Sequence, residues 1–310
     1  MFSMTEFLKT EMPKPTRAVI KKFVDVSQIL RVIPWDSIIG PGSPFNRQTG
    51  LPTPTKRAVG ETYTHSQSTI DPGFEALKIQ GGKSTFDAFQ VATGGGSRRT
   101  TEIEAFLEAI ALNFNRDFIK GDQATDPRDF DGLQVRLTGA QVIQADPAAG
   151  TVHPLSIKQA LETKKRVRNP THWVMSDSHQ NWLTVMAHDR TVGGYITRTK
   201  DQMGDEVMNF CNLPVQVLDV DAEDTEVLDF TEAVTAGGND GSSIYCVSFR
   251  PDRLHGIQNA FPQGKDLGLD PTNGTQYHAV VDWYAAIKME HARSAARLRD
   301  IADAMPTLNP

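Results

Sequence analysis

The sequence predicts an α+β fold, and three observations predict it. Ile103, Phe106, Leu107, Ile110, Phe114 and Phe118 recur at helical spacing and mark one long amphipathic helix. From Leu133 to Gly268 the pattern alternates between helix and strand, as a compact α/β module does. The closing stretch TQYHAVVDWYAAIKMEHA places Val281, Trp283, Ala285, Ile287 and Met289 on one face of a long strand, with Asp282, Tyr284 and Lys288 on the other.

The elements follow in order. Residues 1–37 have sparse apolar positions and early prolines, so they read as an extended arm ending in a short helix before Pro34. Ile38 to Gly82 is dense in proline and glycine and too polar to build its own core. Within it, FEALKIQ sets Phe74, Ala76 and Lys78 against Leu77 and Ile79, which predicts a strand and hence a two-stranded excursion with a loose tip. A lone hairpin is marginal in water, so this one is expected to pack on another chain. The long helix is expected over Thr101 to Lys120, opened by a capping box of Thr101 with Glu104 and closed by Gly121. Further on, LSIKQALETKKR is a helix opening at Ser156, THWVMS a strand, and SHQNWLTVMAHD a helix capped by Ser176 or Asp177. LPVQVLDV and SSIYCVSF are strands, and LDVDAEDTEVLDFTEA is an acidic, solvated rim, because so many like charges cannot be buried together. The terminal ARSAARLRDI carries basic residues diluted by Glu290, Asp300 and Asp303 and is expected to be a solvated strand end.

Composition narrows the function. A net charge of −6 over 310 residues argues against a basic face that grips nucleic acid, since phosphate neutralisation supplies most of that affinity. Glu6, Lys9, Glu11, Pro13 and Pro15 interrupt the apolar run a signal peptide needs, and no stretch approaches the ~18 apolar residues of a membrane helix. The two cysteines, Cys211 and Cys246, suit a reducing compartment as buried thiols, although two strand cysteines could also pair.

Several short motifs carry the look of chemistry. GDQATDPRDFDGL places Asp122, Asp126, Asp129 and Asp131 directly after the long helix. An EF-hand beginning at Asp122 would need glycine and glutamate where Pro127 and Leu133 stand, and Asp126-Pro127 and Asp131-Gly132 are turn formers. Gly82-Lys83-Ser84 copies the end of a phosphate-binding loop, but Leu77 occupies the position of its first glycine, so a turn is expected. Gly94-Gly95-Gly96 followed by Arg98 and Arg99 could cradle an anion, or serve as a hinge. Asp177, Ser178 and His179 adjoin one another, and neighbours on a helix point apart.

The order of parts is more telling than any single motif. Arm, long hairpin, glycine hinge, a helix running into FIKGD, then FDGL, HWVMSD, LPVQVLDV and the closing VDWYAAIKMEHARSAARLRDI resemble the major capsid proteins of tailed bacteriophages. That family has the Hong Kong-97-like fold, which bacterial encapsulin shells share. The resemblance implies an arm over 1–37, an extended loop over 38–82, a peripheral domain over 83–132 with its spine helix at 101–120, an axial domain over 133–273, and a return strand and tail over 274–310. It implies a structural protein with no catalytic residue, cofactor or metal, which assembles with itself as hexamers and pentamers of an icosahedral shell. It further implies a virion location, assembly in the host bacterial cytoplasm, weakly held enclosed DNA and no membrane. Partners would be a portal, a decoration protein and a scaffolding protein, the last expected to be separate or absent because the chain begins close to the arm.

Candidate subunit contacts are Phe45, Lys56 and Arg57 on the hairpin, Arg98, Arg99, Glu102 and Glu108 on the helix, and Asp221, Glu223 and Asp224 at the rim. An encapsulin-like nanocompartment is the alternative within the fold. A metal-dependent hydrolase built on the four aspartates is the enzyme alternative.

Overall fold

The computed structural model describes residues 27–308 apart from 90–91, 93–96, 147–149, 190–192, 201–205, 219, 239 and 273, with main chain alone at 48–49 and 97–100. A short helix, α1 (Gln28–Val32), is capped by Ser27, whose hydroxyl accepts from the Leu30 amide. It leads into β1 (Trp35–Ser37), then β2 (Gly42–Gly50) and β3 (Thr69–Ala76), which form an antiparallel hairpin. Strand β4 (Lys78–Asp87) precedes the spine helix α2 (Ser97–Lys120), and α3 (Leu133–Arg136) follows it. The module comprises β5 (Val142–Gln144), α4 (Ile157–Arg166), β6 (His172–Ser176), α5 (Asp177–Met186), β7 (Ile196–Lys200), β8 (Glu206–Phe210), β9 (Leu213–Leu218) and β10 (Ser242–Val247). The chain ends with β11 (Leu254–Gln258), β12 (Gln263–Leu269), β13 (Gln276–Met289) and β14 (Ala295–Ile301).

Two sheets organise the molecule. In the first, β13 is the axis: β4 pairs along one side of it, while β12 and β11 share the other and β1 extends the sheet beyond β11. The second has the order β5-β14-β10-β6-β9-β8-β7. Period-two alternation splits this second sheet between two cores. Val174, Tyr245 and Val247 face the spine helix, whereas Trp173, Met175, Ile244 and Cys246 face α4 and α5.

The first core is aromatic. Phe114 of α2 lies with its ring centroid 5.5 Å from Trp35, 5.2 Å from Trp283 and 5.6 Å from Phe130. Such tilted pairs add to the area they bury. Phe118 and Phe249 continue the cluster toward the module.

Several expectations need correction. Ser27 to Ser37 belongs to this core, with Ile29, Leu30 and Ile33 fully buried, and only residues 1–26 of the expected arm lie outside the described residues. The spine helix starts a turn before Thr101, at Ser97, so Thr101 and Glu104 sit inside it and Thr101 is not its N-cap. IQGGKST is strand β4, not a turn. Its glycines serve close approach: a Cβ on Gly82 would lie 2.5 Å from the Phe106 ring of the spine helix. Strands β11 and β12 pair with β13 and so leave the module to which 133–273 had assigned them. The terminal ARSAARLRDI is no solvated end either. Strand β14 inserts between β5 and β10 with nearly every residue buried. Its charges are met there: Arg297 pairs with Glu232 and donates to Ser243 Oγ at 3.0 Å, and Asp300 accepts from Thr235 and Arg299.

Candidate subunit interface

The aspartate stretch after the spine helix folds as a joint. Gly121 and Gly132 are joined by a main-chain bond of 2.8 Å, and a side chain at either would strike carbonyls of the opposing turn. Asp122 accepts from the Ala124 amide at 2.9 Å and from Thr125 Oγ1 at 2.7 Å, which holds its carboxyl below the usual range. Asp131 accepts from the Gln123 amide and Asp126 from the Arg128 amide. Asp126 thus closes a turn, as its place before Pro127 suggested, while its side chain stays half-exposed. Phe130 and Leu133 pin the joint to the core. Among the described residues, no three His, Cys, Asp or Glu side chains gather as a metal would require.

Directly above the joint, Asp117 is buried on the spine helix and accepts from Gln80 Nε2 of β4 at 2.9 Å. Burial, with Asp129 nearby adding its charge, pushes its carboxyl up to about 6. The Asp177-Ser178-His179 trio points three ways: Asp177 to Asn181, Ser178 to Glu226, and His179 to Ser176. Burial lowers His179 to about 4, so it is a neutral core histidine. Cys211 and Cys246 are free and buried.

Among the described residues, the hairpin and its tip carry an unbroken exposed run over 51–72. Residues 42–50 and 69–76 alternate between two faces, and the inner one carries Phe45, Arg47, Asp71, Gly73 and Glu75 by registered pairing. This face is fastened to the body. Arg136 of α3 pairs with Glu75 through both carboxylate oxygens and also donates to the carbonyls of Asp131 and Ile287. Arg47 donates to the Met289 carbonyl at 2.8 Å, and the Phe45 ring lies between Arg47, at 5.5 Å, and Lys288, at 5.6 Å. The outer face is mostly apolar: Pro44, Ile70, Pro72, Phe74 and Ala76 are exposed, Ile70 by 57% and Phe74 by 59%, with the exposed Asn46 beside them opposite Pro72. The loop beyond, residues 51–68, is exposed throughout and adds Leu51, Val59 and Tyr63.

The candidate contacts thus scatter. Phe45 turns inward to its own chain. Lys56 is exposed in the tip, and Arg57 lies against Tyr63 at 5.2 Å and donates to the Glu61 carbonyl. Glu102 and Glu108 are half-buried on the spine helix, while the side chains of Arg98 and Arg99 and the whole of Gly94–Gly96 lie outside what is described. Asp221 is buried and closes a turn by accepting from the amides of Glu223 and Thr225, leaving Glu223 and Asp224 as the exposed carboxylates of the rim. Sequence reasoning missed Ile70, Pro72 and Phe74, whose shared parity was the available signal. It also missed the exposed cross-strand pair Ile79 and Tyr284 on the outer face of the first sheet.

Comparisons with known proteins agree with this geometry. A family model described as Major capsid protein GP7 matches residues 45–157, from the hairpin through the spine helix and joint to the start of α4. No curated protein matches the chain. Among solved structures, a holo-SrpI encapsulin complex from Synechococcus elongatus PCC 7942 is similar with a TM-score of 0.66 at 9% identity, covering 90% of this chain and 89% of that one. The capsid of a native GTA particle is similar at 0.63 and 10% identity, covering 89% and 90%. A structure from Mycobacterium phage Bobi is similar at 0.59 and 10% identity, covering 91% and 90%. The fold is the Hong Kong-97-like one.

Proposed function

We propose that this chain is a major capsid protein, a structural subunit that assembles with copies of itself into a closed shell around double-stranded DNA. One observation carries the reading. The hairpin presents an apolar face of Pro44, Ile70, Pro72 and Phe74 that none of the described residues covers, on a fold shared with an encapsulin complex and a GTA capsid. An uncovered apolar face of this kind marks a contact surface. In a closed shell each copy offers that face to a neighbour, and many modest contacts made at once give an assembly that hardly dissociates.

In this reading the spine helix and the β13 sheet form the peripheral domain, the second sheet with α4 and α5 forms the axial domain around the centre of each pentamer or hexamer, and 42–76 is the loop that reaches over the next subunit. Lys56, Arg57, Glu102, Glu108, Glu223 and Asp224 supply the polar rim of those contacts. Portal, scaffolding and decoration proteins are its further partners, the virion its location, and the host bacterial cytoplasm its place of assembly. An acidic subunit encloses DNA without gripping it, because weak phosphate contacts leave a genome free to enter and leave.

Electron microscopy of the purified chain tests this: closed icosahedral particles are expected, and a preparation of monomers and small oligomers alone would overturn it. The likeness to the encapsulin complex supports a second reading, a bacterial nanocompartment. Particles filled with protein, with no DNA, would favour it.

A further inference from the structure

The apolar face of the hairpin can meet a neighbour only if the hairpin leaves the body at a fixed angle, and hairpins of two strands do not hold an angle unaided. Three observations bear on how this one is held. The guanidinium of Arg136 is 9% exposed and engages three elements at once: Glu75 of β3 through a two-point ion pair, the Asp131 carbonyl of the joint, and the Ile287 carbonyl of β13. A fork-shaped donor matched to both carboxylate oxygens fixes orientation as well as distance. On the other strand, Arg47 reaches the Met289 carbonyl two residues further along β13, and Phe45 fills the space between Arg47 and Lys288. Lys288, itself buried, is neutralised by Glu290 at 2.7 Å. Both strands are therefore fastened to one short segment, Ile287–Met289, β3 beside its root through Glu75 and β2 midway along through Arg47, and Leu77 closes the root with a 2.8 Å bond to the Pro41 carbonyl.

We infer that Arg136, Glu75 and Arg47 form a clamp that sets the direction of the hairpin in the free subunit, so that these residues position the contact surface without belonging to it. The inference rests on the shell reading for its consequence, though not for the existence of the clamp. The leverage is large. Strands of this length reach roughly 30 Å at ~3.3 Å per residue, so a swing of about 10° at the root displaces the far end by about 5 Å. The same swing moves Ile70, six residues from the root, by about 3.5 Å and Phe74, two residues from it, by about 1 Å, enough to take Ile70 out of register with a complementary pocket, since packed surfaces tolerate far less.

The test uses the full chain, with Glu75→Ala and the double variant Glu75→Ala/Arg47→Ala. Glu75→Ala leaves Arg136 its two carbonyl partners, so the joint and spine helix are expected to fold unchanged. Hydrogen exchange of unassembled subunits should show amides of 42–50 and 69–76 exchanging about tenfold faster, more in the double variant, with those of the spine helix unaltered. Yield of closed particles should fall in step. Unchanged hairpin protection in both variants would overturn the clamp, and lost protection with normal particle yield would overturn its positioning role. Failure of the unaltered chain to form particles would instead remove the shell reading, leaving the exchange result to decide the clamp by itself.

Discussion

Asp117 offers the sharpest quantitative test of the fold, through Asp117→Asn. The carboxyl is 5% exposed, in the last turn of the spine helix, where the carbonyl end of the helix dipole disfavours negative charge. Burial first, and Asp129 second, raise it from 3.8 to about 6, against the lowering effect of Arg116. Because the folded value exceeds the unfolded one, this group favours folding fully below 3.8 and loses that contribution as pH rises through 6. Each tenfold change in proton affinity is about 1.4 kcal/mol, so the charged form costs the folded subunit about 3 kcal/mol at neutral pH. Asparagine keeps an oxygen for the Gln80 amide at 2.9 Å and gives up only the ion pair with half-exposed Arg116, a contact of small value. The variant is therefore expected to be more stable by about 1–3 kcal/mol at pH 7.5, with the advantage shrinking toward pH 4. Urea unfolding of the unassembled subunit at pH 4.5, 6 and 7.5 measures it. An offset independent of pH, or a less stable variant at pH 7.5, would refute the reasoning.

Three further outcomes are expected. Gly82→Val should destabilise the subunit by about 1–3 kcal/mol in urea unfolding, because its side chain has no room beside the Phe106 ring; an unchanged midpoint would mean that the spine helix is free to lift. Phe74→Ser should leave subunit stability within ~0.5 kcal/mol while reducing particle yield in electron micrographs, and normal particles would remove the outer hairpin face from the interface. Arg57→Glu should also impair assembly of a folded subunit, read by sedimentation, and normal shells would exclude that residue.

Local pattern carried the fold wherever apolar side chains make the contact. Phe114 and Phe118 stand four apart on one helix face, and Trp283 and Ile287 share one strand face, so both elements were legible before any contact was known. The first turn of the spine helix, Ser97–Thr100, has no apolar residue and left no such trace. Strand β4 was lost for a related reason. Its residues toward the helix include Gly82 and Ser84, because the Phe106 ring packs against backbone there, and a contact made by backbone leaves no hydrophobic pattern. Strand β14 looked solvated because Arg297 and Asp300 are charged. Their partners, Glu232 and Thr235, lie more than sixty residues away, outside any local window.

Treating FEALKIQ as one strand carries its parity across Leu77, yet the chain breaks there between β3 and β4 and Ile79 comes out exposed. Within β3 the parity stands: Ile70, Pro72, Phe74 and Ala76 fall on one face and Glu75 on the other. Charge then explains which face is which. On the inner face Glu75 and Arg136 pair with each other and Arg47 reaches the Met289 carbonyl, all inside the subunit, and desolvating such groups is tolerable only when they are paired. An apolar face has no such partners to find and gains only by being covered, at roughly 25 cal/mol per Å². The polar face therefore belongs to the subunit and, in the proposed shell, the apolar one to its neighbour. For this reason the charged residues that sequence alone nominates as contacts, Arg57 and Glu223 among them, are expected at the rim, where they choose the partner, while Phe74 and Ile70 supply the holding energy.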